Sequence, residues 1–207
     1  AEIDVQQAAD GPLVLFHDET LERTSSGHGP LAEHTLTELR SLDAGAWFSP
    51  HHAGEKIPTL AEAIAVVRGS LALNIEIKTE GATSAYLDRL LKTIADQGIA
   101  DHCVVTSFDH AVIDELIARK PDFATGYIIG REGVPERVFR SRVDLLSLEK
   151  SLVTAAVLEF AAASGKAVHA WTVNRPEDIS RLIDLGVGGV ITNYPDRFPD
   201  ELPRPTG

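Results

Sequence analysis

Short runs of alternating or continuous apolar residues recur along the chain, and most are followed by a stretch with helical spacing. The strand candidates are Glu2–Val5, Leu71–Ile77, Cys103–Phe108, Thr125–Ile129, Asp144–Leu148, Val168–Val173 and Gly189–Thr192. Between them, Ser84–Gln97 carries apolar residues at 87, 90, 91 and 94, with Gly98 behind it as a stop. His110–Arg119, Val153–Ser164 and Pro176–Leu185 read the same way. The last begins Arg175-Pro176-Glu177, with Pro in the first turn and an acid beside it, and ends at Gly186.

Repeated strand–helix units predict a parallel sheet. Seven such strands predict an α/β fold, a TIM (β/α)₈ barrel whose first strand–helix unit is missing from the sequence. The 207 residues sit at the lower limit for such a barrel. One region breaks the pattern. LVLFHD, from Leu13, is a short strand expected to pair as a hairpin across the Asp10-Gly11 turn. A Gly-, Ser- and His-rich stretch, a short helix at Thr35–Leu42 and the loop DAGAWFSPHHAGEK follow. The segment 18–56 is expected to be a functional insertion after the barrel's second strand, at the face where barrel active sites lie. The chain is expected to be one domain over 1–207, with a loose tail at 199–207. GVGGVIT is expected to be a turn, because its glycines precede the strand.

Composition is that of an ordinary globular protein, 43% hydrophobic and 24% charged. Net charge is −12, and the basic positions are short and scattered, which argues against a nucleic-acid partner. No run of about 18 apolar residues is present, so no membrane segment is expected in this chain. No signal peptide is visible in this sequence, and the compartment is expected to be cytoplasmic, with an upstream signal or membrane segment left open. The absence of Met leads us to expect a processed or partial chain. The one cysteine, Cys103, lies in an apolar run and is expected to be a buried small side chain.

The chemistry gathers on two strands. Glu2 and Asp4 share a face, because residues i and i+2 on a strand point the same way. Glu76 and Lys78 repeat the pattern in N-I-E-I-K. Neighbouring strands lie about 4.8 Å apart, so Glu2, Asp4 and Glu76 can converge. Three carboxylates form a hard-oxygen site suited to Mg²⁺ or Ca²⁺. The alternative is a set of inward polar residues that neutralise one another or are neutralised by Lys78. His17-Asp18 taken alone is a weaker signal, because a histidine at a strand end is more often structural than catalytic.

Taken in order, E-I-D-V-x-x-x-x-D-G-x-x-V-x-x-H-D, L-x-R-T-S-x-x-G, I-P-T-L-x-E, N-I-E-I-K, T-S-F, H-A-W-T-V-N and G-V-I-T-N-Y-P resemble the glycerophosphodiester phosphodiesterase family over nearly the whole chain. The resemblance implies a TIM barrel and a metal-dependent hydrolysis of small-molecule glycerophosphodiesters to glycerol 3-phosphate and an alcohol. It implies that Glu2, Asp4 and Glu76 hold the divalent metal, Mg²⁺ or Ca²⁺. His17 becomes one of two acid/base histidines, and Lys78 a group near metal and phosphate. Trp171 and Phe108 become pocket-lining residues near the glycerol, with core packing the alternative for both. The family's H-R-G strand, which carries the second histidine and a phosphate-binding arginine, has no counterpart here. His51 and His52, in the 18–56 segment, are the substitutes to consider, and reduced activity is the expectation.

Three other readings compete. A non-catalytic or impaired phosphate-binding barrel would explain the absent H-R-G, but not the retention of Glu2, Asp4, His17, Glu76 and Lys78. A Schiff-base aldolase using Lys78 needs an amine of depressed pKa, whereas carboxylates beside it act the other way. A sphingomyelinase-D-like relative would be disulfide-stapled, which one cysteine cannot supply.

Overall fold

A computed structural model describes residues 1–78 and 82–198. The expected tail at 199–207 lies outside the described residues. The chain falls into two compact units, one comprising residues 1–107 and 119–123 and the other residues 108–118 and 124 onward.

In the first unit, strand β1 (Glu2–Gln7) turns back into β2 (Leu13–Leu15) as an antiparallel hairpin, Val5 opposite Leu15 and Gln7 opposite Leu13. Gly11, at φ +110°, supplies the turn. On its other side β1 pairs in parallel with β3 (Leu73–Ile77), which pairs in parallel with β4 (Cys103–Ser107). The expected hairpin and parallel pairing are both present. The structure shortens the second hairpin arm, because the backbone turns away after Phe16.

Helices α1 (Leu36–Ser41), α2 (Leu60–Val67) and α3 (Ser84–Gln97) belong to this unit. The sequence reading marked the first and third but not α2. Both short helices open on a capping box. Thr35 and Thr59 accept from the amides of Glu38 and Glu62, whose carboxylates accept in return from the Thr amides. Helix α3 starts on the Thr83 side chain and stops at Gly98, which is left-handed at φ +63°. Its buried stripe is Tyr86, Leu87, Leu90 and Ile94. Burial of each aliphatic member stabilises the fold by roughly 1.5–3 kcal/mol. The Tyr86 hydroxyl donates to the Val5 carbonyl at 3.0 Å, tying the helix to β1.

The 18–56 segment shares an apolar centre with the hairpin. Leu21, Leu31 and Leu39 are fully buried with Ala8, Val14, Phe16 and Ile57. The Asp43 carboxylate receives the amides of Gly45, Ala46 and Gly54, which folds the loop that follows.

The second unit continues the alternation: α4 (His110–Ala118), β5 (Ala124–Ile129), β6 (Leu145–Glu149), α5 (Ala155–Ala163), β7 (Ala167–Trp171), α6 (Pro176–Asp184) and β8 (Gly189–Val190). β5, β6, β7 and β8 pair in parallel in that order. Helix α6 begins with Pro176 and ends before Gly186, at φ +87°, as its sequence predicts. Gly189 is held by packing: a Cβ there would lie 2.7 Å from the His169 ring. Gly186 and Gly188 precede the strand as expected, whereas Gly189 opens β8 itself. The parallel strands, with a helix between most successive pairs, are those of a TIM-like α/β fold. Cys103 is buried, and burial pushes its thiol up to about 11, far from a reactive thiolate.

Candidate active site

The β1–β3 register sets Asp4 opposite Glu76 and Glu2 two residues earlier on the same face. One carboxylate oxygen from each of Glu2, Asp4 and Glu76 lies within 4.8 Å of the others. Lys78 follows the end of β3 and extends its ladder through a bond from its amide to the Val5 carbonyl. Two residues beyond Glu76, its side chain returns to the same place. Its ammonium lies 2.9 Å from Glu76 Oε1 and 3.3 Å from Asp4 Oδ1.

The electrostatics follow from that crowding. Burial, then the charges of Asp4 and Glu76, raise the Glu2 carboxyl from its ordinary 4.5 to about 7, against the pull of Lys78. Burial also raises Glu76, although Lys78 and His17 oppose the rise. Burial acts to lower Lys78, but the carboxylates of Glu76 and Asp4 outweigh it and the net shift is upward. A Lys held protonated in this way is no Schiff-base nucleophile, which removes the aldolase reading.

Mutual neutralisation does not satisfy the cluster. Glu2 Oε1 is buried and has no hydrogen-bond partner among the described residues. A buried anionic oxygen without a partner is costly. Three hard oxygens, one of them orphaned, fit a Mg²⁺- or Ca²⁺-type ion.

The hairpin delivers His17. Its last backbone bond runs from the Phe16 amide to the Asp4 carbonyl at 3.1 Å, so His17 is the next residue past the pairing. Gln6, 5% exposed, donates from Nε2 to the carbonyls of Phe16 and Asp18, at 2.8 and 2.6 Å. Those two carbonyls flank His17, so one buried amide fixes its backbone. The imidazole is exposed, and its Nδ1 meets Asp18 Oδ1 at 2.7 Å. Arg23 grips both oxygens of that carboxylate. The Arg23 bond, with His17 adding to it, holds the Asp18 carboxyl down at about 2.

Sequence reasoning gave no role to Gln6 or Arg23. Arg23 stands in the L-x-R-T-S motif, which was a signal. Gln6 left none, because its role exists only once the hairpin folds. His51 and His52 are exposed on a short 3₁₀ turn, Pro50–His52. Neither bonds to the carboxylates among the described residues. His52 instead lies against Phe48, with ring centroids 5.5 Å apart.

Phe108 and Trp171 belong to the second unit and pack edge to face, with centroids 5.5 Å apart at 83°. The indole nitrogen donates to the Ser147 carbonyl at 3.0 Å. Phe108 is 48% exposed, so core filling is not its role.

Comparison with known proteins agrees with the geometry. A family model described as "Glycerophosphoryl diester phosphodiesterase family" matches residues 1–197. A glycerophosphodiester phosphodiesterase of Caldanaerobacter subterraneus is 33% identical over 199 residues, covering 94% of this chain and 82% of that protein. An Oleispira antarctica phosphodiesterase, solved in complex with the product sn-glycerol-3-phosphate, superposes with a TM-score of 0.88 at 30% identity, covering 95% of this chain and 81% of that one. A Silicibacter pomeroyi structure described as a glycerophosphoryl diester phosphodiesterase gives 0.84 at 26% identity, covering 95% and 80%. With three carboxylates on paired strands β1 and β3, a lysine just past β3, a histidine just past the hairpin, and a family match over almost its whole length, this chain belongs to the glycerophosphoryl diester phosphodiesterase family.

Proposed function

We propose that the chain hydrolyses glycerophosphodiesters to glycerol 3-phosphate and an alcohol, with a divalent metal held by Glu2, Asp4 and Glu76. The observation that carries this reading is the partnerless, buried Glu2 oxygen inside a three-carboxylate cluster, next to a histidine whose orientation is fixed. When bound, Mg²⁺ or Ca²⁺ polarises phosphoryl oxygens and offsets charge developing on them.

The remaining work falls to the chain's own residues. Lys78, kept protonated by its carboxylate neighbours, offers positive charge to a phosphoryl oxygen. Asp18 accepts from Nδ1–H of His17, which leaves Nε2 as the exchangeable site. From Nε2 the imidazole takes a proton from the attacking hydroxyl or returns one to the departing alkoxide. Arg23 keeps Asp18 ionised and in place, so that the tautomer is held. Trp171 and Phe108 are assigned to the glycerol, as the family resemblance implies. His17 supplies one of two proton-transfer groups that the resemblance calls for.

The test is release of glycerol 3-phosphate from glycerophosphocholine in Mg²⁺ or Ca²⁺, with Glu76→Gln and His17→Ala alongside. Turnover lost in both variants supports the proposal. Metal binding without turnover in the unaltered chain favours the non-catalytic phosphate-binding barrel.

A further inference from the structure

The second unit holds a separate concentration of charge. Arg137, Arg140 and Arg142 fall within six residues, R-V-F-R-S-R, in a chain whose net charge is −12. The three line one cleft of about 340 Å³, together with His110, Asp114, Tyr127 and Ser141. Its volume lies in the range of small-molecule sites. None of its residues takes part in the carboxylate cluster.

The cleft is built rather than incidental. The imidazole of His110 stacks on the Tyr127 ring, with centroids 4.0 Å apart and planes at 15°. The Tyr127 hydroxyl donates to Asp114 Oδ1 at 2.5 Å, so the one carboxylate lining the cleft is already engaged. The arginine-bearing backbone is tied from beneath. Lys166, 7% exposed, donates to the carbonyls of Ser141 and Val143 at 2.8 and 2.9 Å, on either side of Arg142. Ser141 Oγ donates to the Val138 carbonyl at 2.6 Å, which closes the turn between Arg137 and Arg142.

Charge pairing is unequal among the three. Arg140 bonds to Glu136, one turn away. Arg137 and Arg142 form no ion pair or side-chain hydrogen bond among the described residues, although acids outnumber bases in the chain by 31 to 19. Two unpaired guanidinium groups facing one cleft repel each other. Each is a planar fork of N–H donors that matches the oxygens of a tetrahedral oxyanion.

We propose that this cleft is a second anion site, which binds the phosphate dianion of a small phosphomonoester or of inorganic phosphate between Arg137 and Arg142. The proposal does not depend on the catalytic reading, since the site would bind phosphate whether or not the carboxylate cluster turns over.

Calorimetric titration with inorganic phosphate, and separately with glycerol 3-phosphate, tests it on three proteins. These are the unaltered chain, the double variant Arg137→Ala/Arg142→Ala, and Glu76→Gln as a control at the carboxylate cluster. Circular dichroism checks each fold. The expected result is phosphate binding that weakens at least tenfold in the arginine variant and persists in Glu76→Gln. Tighter binding of glycerol 3-phosphate than of phosphate in Glu76→Gln would identify an organic phosphate as occupant, and equal binding the bare phosphate group. Phosphate binding unchanged in the arginine variant, lost in Glu76→Gln, or absent from the unaltered chain overturns the proposal. Replacement by Arg137→Lys/Arg142→Lys separates charge from fork geometry. It should restore part of the affinity if the cleft binds the anion, and restoration of none would show that the alanine effect came from packing.

Discussion

Replacing Glu2 with Gln should stabilise the metal-free protein at alkaline pH, although it removes an acidic residue from a family site. In the folded chain the Glu2 carboxyl sits near 7, against 4.5 when unperturbed. The protonated form is therefore favoured by folding. The stabilisation that a raised acid contributes is fully present below 4.5 and is lost as pH rises to about 7. A shift of this size corresponds to roughly 3 kcal/mol at most, and solvent screening at a partly exposed site reduces it to about 2 kcal/mol. Gln cannot ionise and does not lose that amount. Urea unfolding in the presence of a chelator, run at pH 5 and pH 8, should show the variant's advantage growing by about 2 kcal/mol between the two. Saturating Mg²⁺ or Ca²⁺ should reverse the sign at pH 8, because the wild-type carboxylate then has a cation to bind and the amide is a weaker ligand. An advantage that does not change with pH would refute the burial argument. A variant that is less stable at pH 8 without metal would show that Lys78 alone satisfies the cluster.

Other outcomes follow from the same geometry. Metal affinity, measured calorimetrically, should rise with pH up to about 7 and level off above it, with proton release on binding below that point. His17→Ala should cut kcat by about 10²–10⁴-fold with metal affinity unchanged. Gln6→Ala strips one buried and one part-buried carbonyl of their donor. It should cost about 2–4 kcal/mol in thermal or urea unfolding and lower kcat more than it raises KM. Thr59→Ala removes one capping box and should cost about 1 kcal/mol of stability with activity intact.

The carboxylate cluster was legible because strand periodicity is geometric. Alternation in E-I-D-V and N-I-E-I-K fixes the faces, and parallel pairing then brings Asp4 to Glu76. The ends of α3 and α6 were legible for local reasons, a left-handed glycine and a first-turn proline. Helix α2 was passed over because LAEAIAVV has no polar face to mark an amphipathic period, although T-x-x-E ahead of it was a start signal. Gln6 was unreadable because its partners, two carbonyls ten and twelve residues on, meet it only in the folded hairpin. The exposure of Phe108 was unreadable as well, since an aromatic at a strand end looks the same whether it packs inward or lies open. The arginine cleft needed the fold to be seen. In the sequence its three bases look like scattered surface charge, and only the folded chain shows that they line one cleft.

Lys78 gives the site an internal counter-ion, and this sets the charge that a substrate meets. With every group ionised, the three carboxylates and the ammonium carry two negative charges between them. A divalent cation cancels that charge completely, whereas three carboxylates without the lysine would keep one negative charge. A phosphodiester monoanion then approaches a neutral centre instead of a repelling one. Within an overall acidic protein, that one lysine decides whether the centre is neutral towards an anionic visitor or repels it. Lysine acylation at this position, such as acetylation, would therefore close the site to substrate without removing a metal ligand.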